Sequence, residues 1–321
     1  MIALIHSPFQ AYSLYCYLQQ EECADQVTVV IRSDDIHKEL TSLKSIFKIL
    51  EGLNVRFLVI ENRRKFFTVC NAILLINKAK SILIGDLTNK LNVFLLRFLL
   101  FKKRITLLED GTSLHVDYDE ISRGMKRLKI KDIYSISVIN PKLYPAAKIH
   151  FGRLAFLNLS EQRCLESFIQ KDYLLLGSPL IDHGVMLKED YLSLIDRVFS
   201  RHFLSKDFWT YVRHRREDKG ILKTLSRFSA ANMVIKNFPL GFDITLMASS
   251  ERLDLSRTHL IAFPSTALLT LAEAGILRKF QSVTIIDLSR EKLVGHHTRT
   301  MDINKLCIER CINIGIRNVI Y

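Results

Sequence analysis

The stretch SILIGDLTNKLNVFLLRFLLFKKRITLLEDG, residues 81–111, carries the pattern that decides the fold. Its first residues, 81–85, form a short apolar run that predicts a strand, and 89–101 follows with a helical pattern. A second run, 104–110, predicts another strand. Strands separated by a helix of that length read as a βαβ unit in a parallel sheet. The unit ends on two adjacent carboxylates and a glycine, Glu109-Asp110-Gly111. That is where ligands bind in such sheets, beyond the carboxyl ends of the strands.

The alternation extends in both directions. Before it, 1–6, 26–32 and 55–60 predict strands, and 9–20, 36–51 and 66–78 predict helices. From about 115 to 165 the periodicity fades, with NPKLYPAAK (140–148) as the clearest break. A second series then starts, with strands over 173–177, 208–214, 232–237, 259–263 and 282–288. Its helices fall near 188–202, 219–228, 265–277 and 302–314. Two βα series of similar size predict an α/β protein of two Rossmann-like domains, 1–155 and 156–321, facing a central cleft.

The bulk numbers agree. At 321 residues the chain exceeds what one core comfortably serves, and 48% hydrophobic with 25% charged residues is an ordinary globular balance. Six scattered cysteines form no CxxC, which fits a reducing compartment. Cys307 and Cys311 share a helix face at i,i+4, but no second pair accompanies them to complete a zinc site. The opening MIALIH lacks a basic leader and reads as a strand, so a cytoplasmic protein is expected. The longest apolar run, VFLLRFLLF (93–101), is about half the length of a membrane span and is interrupted by Arg97.

A net charge of +13, from 46 Lys and Arg against 33 Asp and Glu, admits nucleic acid, an anionic membrane or an anionic small substrate. Nucleic acid is disfavoured, because the basic residues are dispersed and no DNA- or RNA-binding motif is present. Basic residues instead flank apolar segments: Arg63-Arg64-Lys65 before Phe66-Phe67, and Arg97 with Lys102-Lys103-Arg104 around 93–101. That pattern suits a peripheral contact with an anionic inner-membrane surface. It also suits a buried helix with solvated ends.

Four stretches lie just past predicted strands. In Glu109-Asp110-Gly111-Thr112-Ser113, one carboxylate can serve as a base while the other orients it; the same residues also make a good turn capped by Asp110. Gly177-Ser178-Pro179 opens the second series, where a glycine permits close backbone approach to a ligand or simply forms a βα turn. In Arg213-His214-Arg215-Arg216-Glu217, the histidine stands at a strand end. Its arginine neighbours favour the neutral ring and an arriving phosphate favours the protonated one, so it suits a phosphate site; an exposed basic loop is the alternative. Ser265 and Thr266 open a helix, offering hydroxyls and backbone N–H groups to an anion, or plain capping. Asp117-Tyr118-Asp119 is formally a DxD metal-binding signature but lacks a strand-to-loop context. His296-His297 are adjacent residues that point apart, so they make a poor metal pair.

Taken together and in this order, these motifs resemble the bacterial CMP-sialic acid-dependent sialyltransferases, the group of lipooligosaccharide sialyltransferases and capsular polysialyltransferases. That group carries an acidic-acidic-Gly motif, matched by Glu109-Asp110-Gly111. It carries a Tyr-x-Pro-His-Pro-Arg-Glu-like run, matched by Tyr211, His214, Arg216 and Glu217, with Arg213 and Arg215 standing where the group has proline. A Ser-Ser or Ser-Thr pair is matched by Ser265-Thr266. HSPFQAY (6–12) looks like the group's first-strand loop and GSPL (177–180) like its hinge-side turn.

The resemblance implies a GT-B type fold with an acceptor-side first domain and a donor-binding second one, the final helix packing back on the first. It implies inverting, metal-independent transfer of sialic acid from a CMP-sugar donor to a glycan or glycolipid acceptor, with no cofactor. In that reading Asp110 is the base, with Glu109 as its alternative, and Ser7, Pro8, Gln10 and Gly111 lie on the acceptor side. His214 would assist the leaving phosphate. Gly177, Ser178, Pro179, Arg213, Arg215, Arg216, Glu217, Ser265 and Thr266 would hold the donor. A CMP-Kdo transferase or another nucleotide-sugar enzyme is the nearest rival.

Overall fold

The computed structural model describes residues 1–21, 26–33, 36–61, 65–100, 103–110, 114, 117–136, 141–155, 157, 173–202, 208–214, 217, 225, 233–238, 241–249, 253–295 and 297–316. Gly111, Arg215, Arg216, His296 and the helix expected near 219–228 (apart from Leu225) lie outside them. The chain divides into two compact units, Met1–Ala155 and Phe156–Tyr321.

The first unit runs β1 (Ile2–Ile5), α1 (Pro8–Gln20), β2 (Val27–Ser33), α2 (Ile36–Ile49), β3 (Val55–Glu61), α3 (Lys65–Lys78), β4 (Ser81–Ile84), α4 (Lys90–Arg97), β5 (Arg104–Leu108), α5 (Tyr118–Leu128), β6 (Asp132–Ser135) and β7 (Lys148–Phe151). The seven strands form one sheet in the order β3-β2-β1-β4-β5-β6-β7, every neighbouring pair parallel. All four residues of β1 are buried, as a central parallel strand covered on both faces requires. β1 pairs on both edges, Ile2 opposite Thr28 on one side and Ile82 on the other. The winding direction therefore reverses between β1 and β4. The core gathers Ile84, Leu95, Leu107, Ile121, Met125 and Ile133 from strands and helices alike.

Three of these elements were not legible as such in the sequence. β6 (DIYS) and β7 (KIHF) lack the apolar run that marks the other four-residue strands. α5 buries only Ile121 and Met125, an i,i+4 pair on an otherwise polar helix that ends on Lys129 in the left-handed conformation at φ 55°.

The second unit runs β8 (Tyr173–Leu176), α6 (Lys188–His202), β9 (Trp209–Arg213), β10 (Met233–Asn237), α7 (Phe242–Ser249), β11 (His259–Ala262), α8 (Thr266–Glu273), β12 (Ser282–Ile285) and α9 (Thr298–Asn313). Its parallel sheet is ordered β10-β9-β8-β11-β12, so the winding reverses between β8 and β11. Leu175, Tyr191, Leu194, Trp209, Tyr211 and Phe263 centre its core. Seven of the eight residues of α7 are buried, so it has no polar face to give a helical period. The last helix, α9, packs on α8 of its own unit: Arg310 Nε lies 2.7 Å from Glu273 Oε1, and Cys307 Sγ donates to Ser265 O at 3.5 Å. Burial pushes the thiols of Cys307 and Cys311 up to about 12, consistent with inert core cysteines. Among the described residues no helix is long and apolar enough to cross a membrane.

Candidate functional site

In the first unit the polar residues gather at the carboxyl ends of β1, β4 and β5, beside the reversal point. Ser7 caps α1 with its hydroxyl accepting from Gln10 N at 3.2 Å, and Pro8 occupies the first helical turn, where its missing N–H costs nothing. Gln10 is fully buried and its Oε1 accepts from His6 N at 2.8 Å, bending the β1–α1 turn back on itself. That side chain lies against Gly85, where an added Cβ would come within 2.5 Å of Gln10 Cδ, so the end of β4 has room only for glycine.

The two adjacent carboxylates at the end of β5 have different fates. Glu109 is buried, and its Oε2 accepts from Ser135 Oγ and from Ile136 N, both at 2.7 Å. It ties the end of β5 to the end of β6. Asp110, the next residue, takes the other side, as alternation along a strand dictates. Its Oδ1 accepts from Ser7 Oγ at 3.3 Å, and it is only partly buried. Burial raises the Asp110 carboxyl above the usual carboxylate range. His6 opposes that shift, Asp86 adds to it, and Gln10 and Ser7 oppose it through hydrogen bonds.

His6 and Asp86 complete the cluster. Asp86 follows β4 and anchors the approach to α4, its Oδ1 accepting from Thr88 N at 2.6 Å and from Thr88 Oγ1 at 2.7 Å. Its other oxygen lies 3.6 Å from His6 Nε2. One ligand atom each from His6, Asp86 and Asp110 lie within 4.8 Å of one another, the only such metal-capable group among the described residues. Sequence reasoning passed over Asp86 although it sits one residue beyond a predicted strand, and included His6 only within the string 6–12. Asp117-Tyr118-Asp119 falls at the N-terminal end of α5, with Asp119 exposed in the first turn, where a carboxylate favours the helix dipole. His297 Nε2 lies 2.5 Å from Val294 O.

The second unit has a counterpart set at the ends of β8, β9 and β11. Gly177 N continues the ladder to Val212 O at 2.9 Å. A Cβ on Gly177 would lie 2.6 Å from Glu217 Oε2, so the glycine admits that carboxylate. Ser178 is buried, its N–H reaching Tyr191 Oη at 3.5 Å, while Pro179 opens a tight turn well before α6, accepting from His183 N at 3.0 Å.

Glu217 organises the histidine turn. Only 1% exposed, it accepts from Tyr191 Oη at 3.0 Å, from Tyr211 Oη, and from His214 N at 3.1 Å. The two tyrosine oxygens are themselves 3.0 Å apart. The Arg213 guanidinium closes the turn from outside, donating to Glu217 O from Nη2 at 2.6 Å and from Nε at 3.2 Å. Glu217 and Arg213, read in the sequence as donor contacts, thus engage each other and the turn. His214 is the partly exposed residue they present. Burial raises the Glu217 carboxyl, against the opposing pull of its Tyr211, His214 and Tyr191 donors and of Arg213. Ser265, at the end of β11, caps α8 with its hydroxyl accepting from Leu268 N at 3.2 Å. Thr266 is the first residue of that helix.

Removing the buried carboxylate strands two phenol hydroxyls and an amide. Glu217→Ala is therefore expected to lower unfolding stability by about 3 kcal/mol, on the scale of orphaned buried donors. Denaturant unfolding of the variant against the parent checks this, and a change below about 0.5 kcal/mol would contradict the strut.

No protein-family model matches the chain, and no curated protein matches it by sequence. Solved structures do resemble it. The α/β-galactoside α-2,3-sialyltransferase of the luminous marine bacterium Photobacterium phosphoreum matches over 99% of this chain and 96% of its own, with a TM-score of 0.64 at 11% identity. The UDP-GlcNAc 2-epimerase of Methanocaldococcus jannaschii matches over 99% and 93%, with a TM-score of 0.51 at 13% identity. With the two reversing parallel sheets, these likenesses establish an α/β fold of GT-B type, built from two Rossmann-like domains.

Proposed function

We propose that the chain is an inverting glycosyltransferase that moves sialic acid from CMP-sialic acid to a hydroxyl of a cell-surface glycan, of lipooligosaccharide or capsule type, without a metal ion. The observation that carries this reading is the Asp110 carboxylate. It stands at a strand end beside the reversal point of its sheet, oriented by Ser7, with its adjacent acid Glu109 committed to the fold. Partial burial and a raised pKa suit a group that must take a proton from an alcohol and later release it.

Asp110 would accept the proton of the acceptor hydroxyl as its oxygen bonds to the anomeric carbon of sialic acid. The bond from that carbon to the CMP phosphate oxygen breaks, and the electron pair leaves with CMP. The departing group carries one phosphate, whose growing charge His214 would neutralise, with Ser265 and Thr266 at the start of α8 offering the hydroxyl and N–H donors a phosphate takes. We assign the acceptor side to the first unit and the CMP-sugar to the second. A pinned turn around His214 supports the assignment, since a charge stabiliser works best when it need not reorganise.

Incubation with CMP-sialic acid, CMP-Kdo and UDP-sugars over a glycan panel, read by mass spectrometry, tests the reading. A glycan gaining one or more sialic acid residues is expected with the first donor alone. Asp110→Ala should abolish that product while CMP still binds, and His214→Ala should slow turnover by about a hundredfold or more. Full activity in either variant would remove the role assigned to it.

The raised Asp110 carboxyl must be ionised to act as a base, and it binds its proton more tightly than an ordinary aspartate. Activity should therefore fall with decreasing pH through a value above the usual carboxylate range, in a kcat/KM profile. An acid limb at the ordinary aspartate value would contradict this. Transfer should also survive a strong divalent chelator. Loss on chelation, restored by an added cation, would place a metal on His6, Asp86 and Asp110.

A further inference from the structure

We infer that the outer face of α3 and α4 docks on an anionic lipid bilayer. A surface helix normally keeps its apolar residues on the side facing the sheet. α3 does bury Ala72 and Ile76, but its outer side carries Phe66 at 74% exposed, Phe67 at 80% and Leu74 at 61%. α4 buries Leu91, Leu95 and Leu96, and presents Phe94 and Phe98 at i,i+4 to solvent, with Leu100 beyond its end at 76% exposed. The rings are paired, Phe66 with Phe67 at 5.7 Å between centroids and Phe94 with Phe98 at 4.8 Å.

The two helices pack against each other and are latched together by Asn77. Its Nδ2 donates to Phe98 O at 2.9 Å and its Oδ1 accepts from Leu100 N at 2.8 Å, while Lys103 Nζ donates to Asn77 O at 2.6 Å. Phe98 and Leu100 are thereby fixed to α3 rather than carried on a loose loop, and Phe66 and Phe67 belong to the first turn of the same helix.

Charge decides what covers this face. Residues 62–104 hold ten Lys and Arg and a single carboxylate, Asp86, which belongs to the cluster at the end of β4. Most of the chain's net +13 is thus concentrated in this one segment. Lys78, Lys80, Lys90 and Arg97 are exposed on or beside the two helices. A second copy of the chain docking face to face would bring like charges together. A bilayer with anionic headgroups accepts both features at once, the phenylalanine rings entering the headgroup boundary and the long basic side chains reaching the phosphates.

The test is co-sedimentation of the purified full chain with vesicles, either phosphatidylcholine alone or phosphatidylcholine with phosphatidylglycerol, at low and high salt. Binding is expected to the anionic vesicles and to weaken with salt. The double variants F66S/F67S and F94S/F98S should each reduce the partition by about tenfold or more, the scale of withdrawing two buried rings. Circular dichroism should stay native-like in both, and the unfolding midpoint should hold in F66S/F67S, whose rings are the most exposed. Absence of binding to anionic vesicles, or undiminished binding by both variants, would overturn the inference. So would a concentration-dependent dimer that the same substitutions dissolve. The vesicles contain neither nucleotide sugar nor glycan, so the result is separate from the outcome of the transfer assay.

Discussion

Each unit is organised by its first strand pairing on both edges, β1 with β2 and β4, and β8 with β9 and β11. Because all these pairings are parallel, every connection must cross over, and successive helices start from the same end of the sheet. Where the winding reverses, two neighbouring connections depart in opposite directions and leave a crevice at the strand ends. Ser7 and Asp86 flank that point in the first unit, and Ser178 and Ser265 in the second. The candidate chemistry sits where it does because of strand order, before any side chain is considered.

Two buried glutamates then convert position into orientation. Glu109 accepts two hydrogen bonds from the end of β6, which leaves Asp110 turned toward Ser7. Glu217 accepts from Tyr191, Tyr211 and the His214 amide, which sets the histidine at the mouth of its turn. In both units an acid that is withdrawn from solvent aims the residue that is left accessible. A buried carboxylate is costly unless its lone pairs are filled, and here polar donors fill them.

The strand and helix pattern was legible because eight-to-sixteen-residue helices and apolar, β-branched runs leave strong signals. It failed where the strands mix polar with apolar residues, as in β6 and β7, and where a helix lacks two contrasting faces, as in the polar α5 and the buried α7. The acidic-Gly, histidine and Ser-Thr stretches could be picked out as candidates because ligands in parallel sheets bind beyond the strand ends. Which of Glu109 and Asp110 is tied into the fold could not be read, since adjacent residues share every sequence feature except their hydrogen-bond partners, which come from the end of β6 and from Ser7. His6 and Asp86 are 80 positions apart and meet through the pairing of β1 with β4. Glu217 reads as one more charge in a basic run, and its burial depends on two tyrosines and a glycine from three different segments.

The turn that carries His214 shows how one kind of rigidity can replace another. Proline stiffens a chain covalently, by removing a rotation. Arg213, at a position where the resembled sialyltransferases have proline, supplies two donors to the Glu217 carbonyl, and Glu217 returns a carboxylate oxygen to the His214 amide. The stiffness here is contingent rather than built into the backbone. It lasts only while those contacts outcompete water.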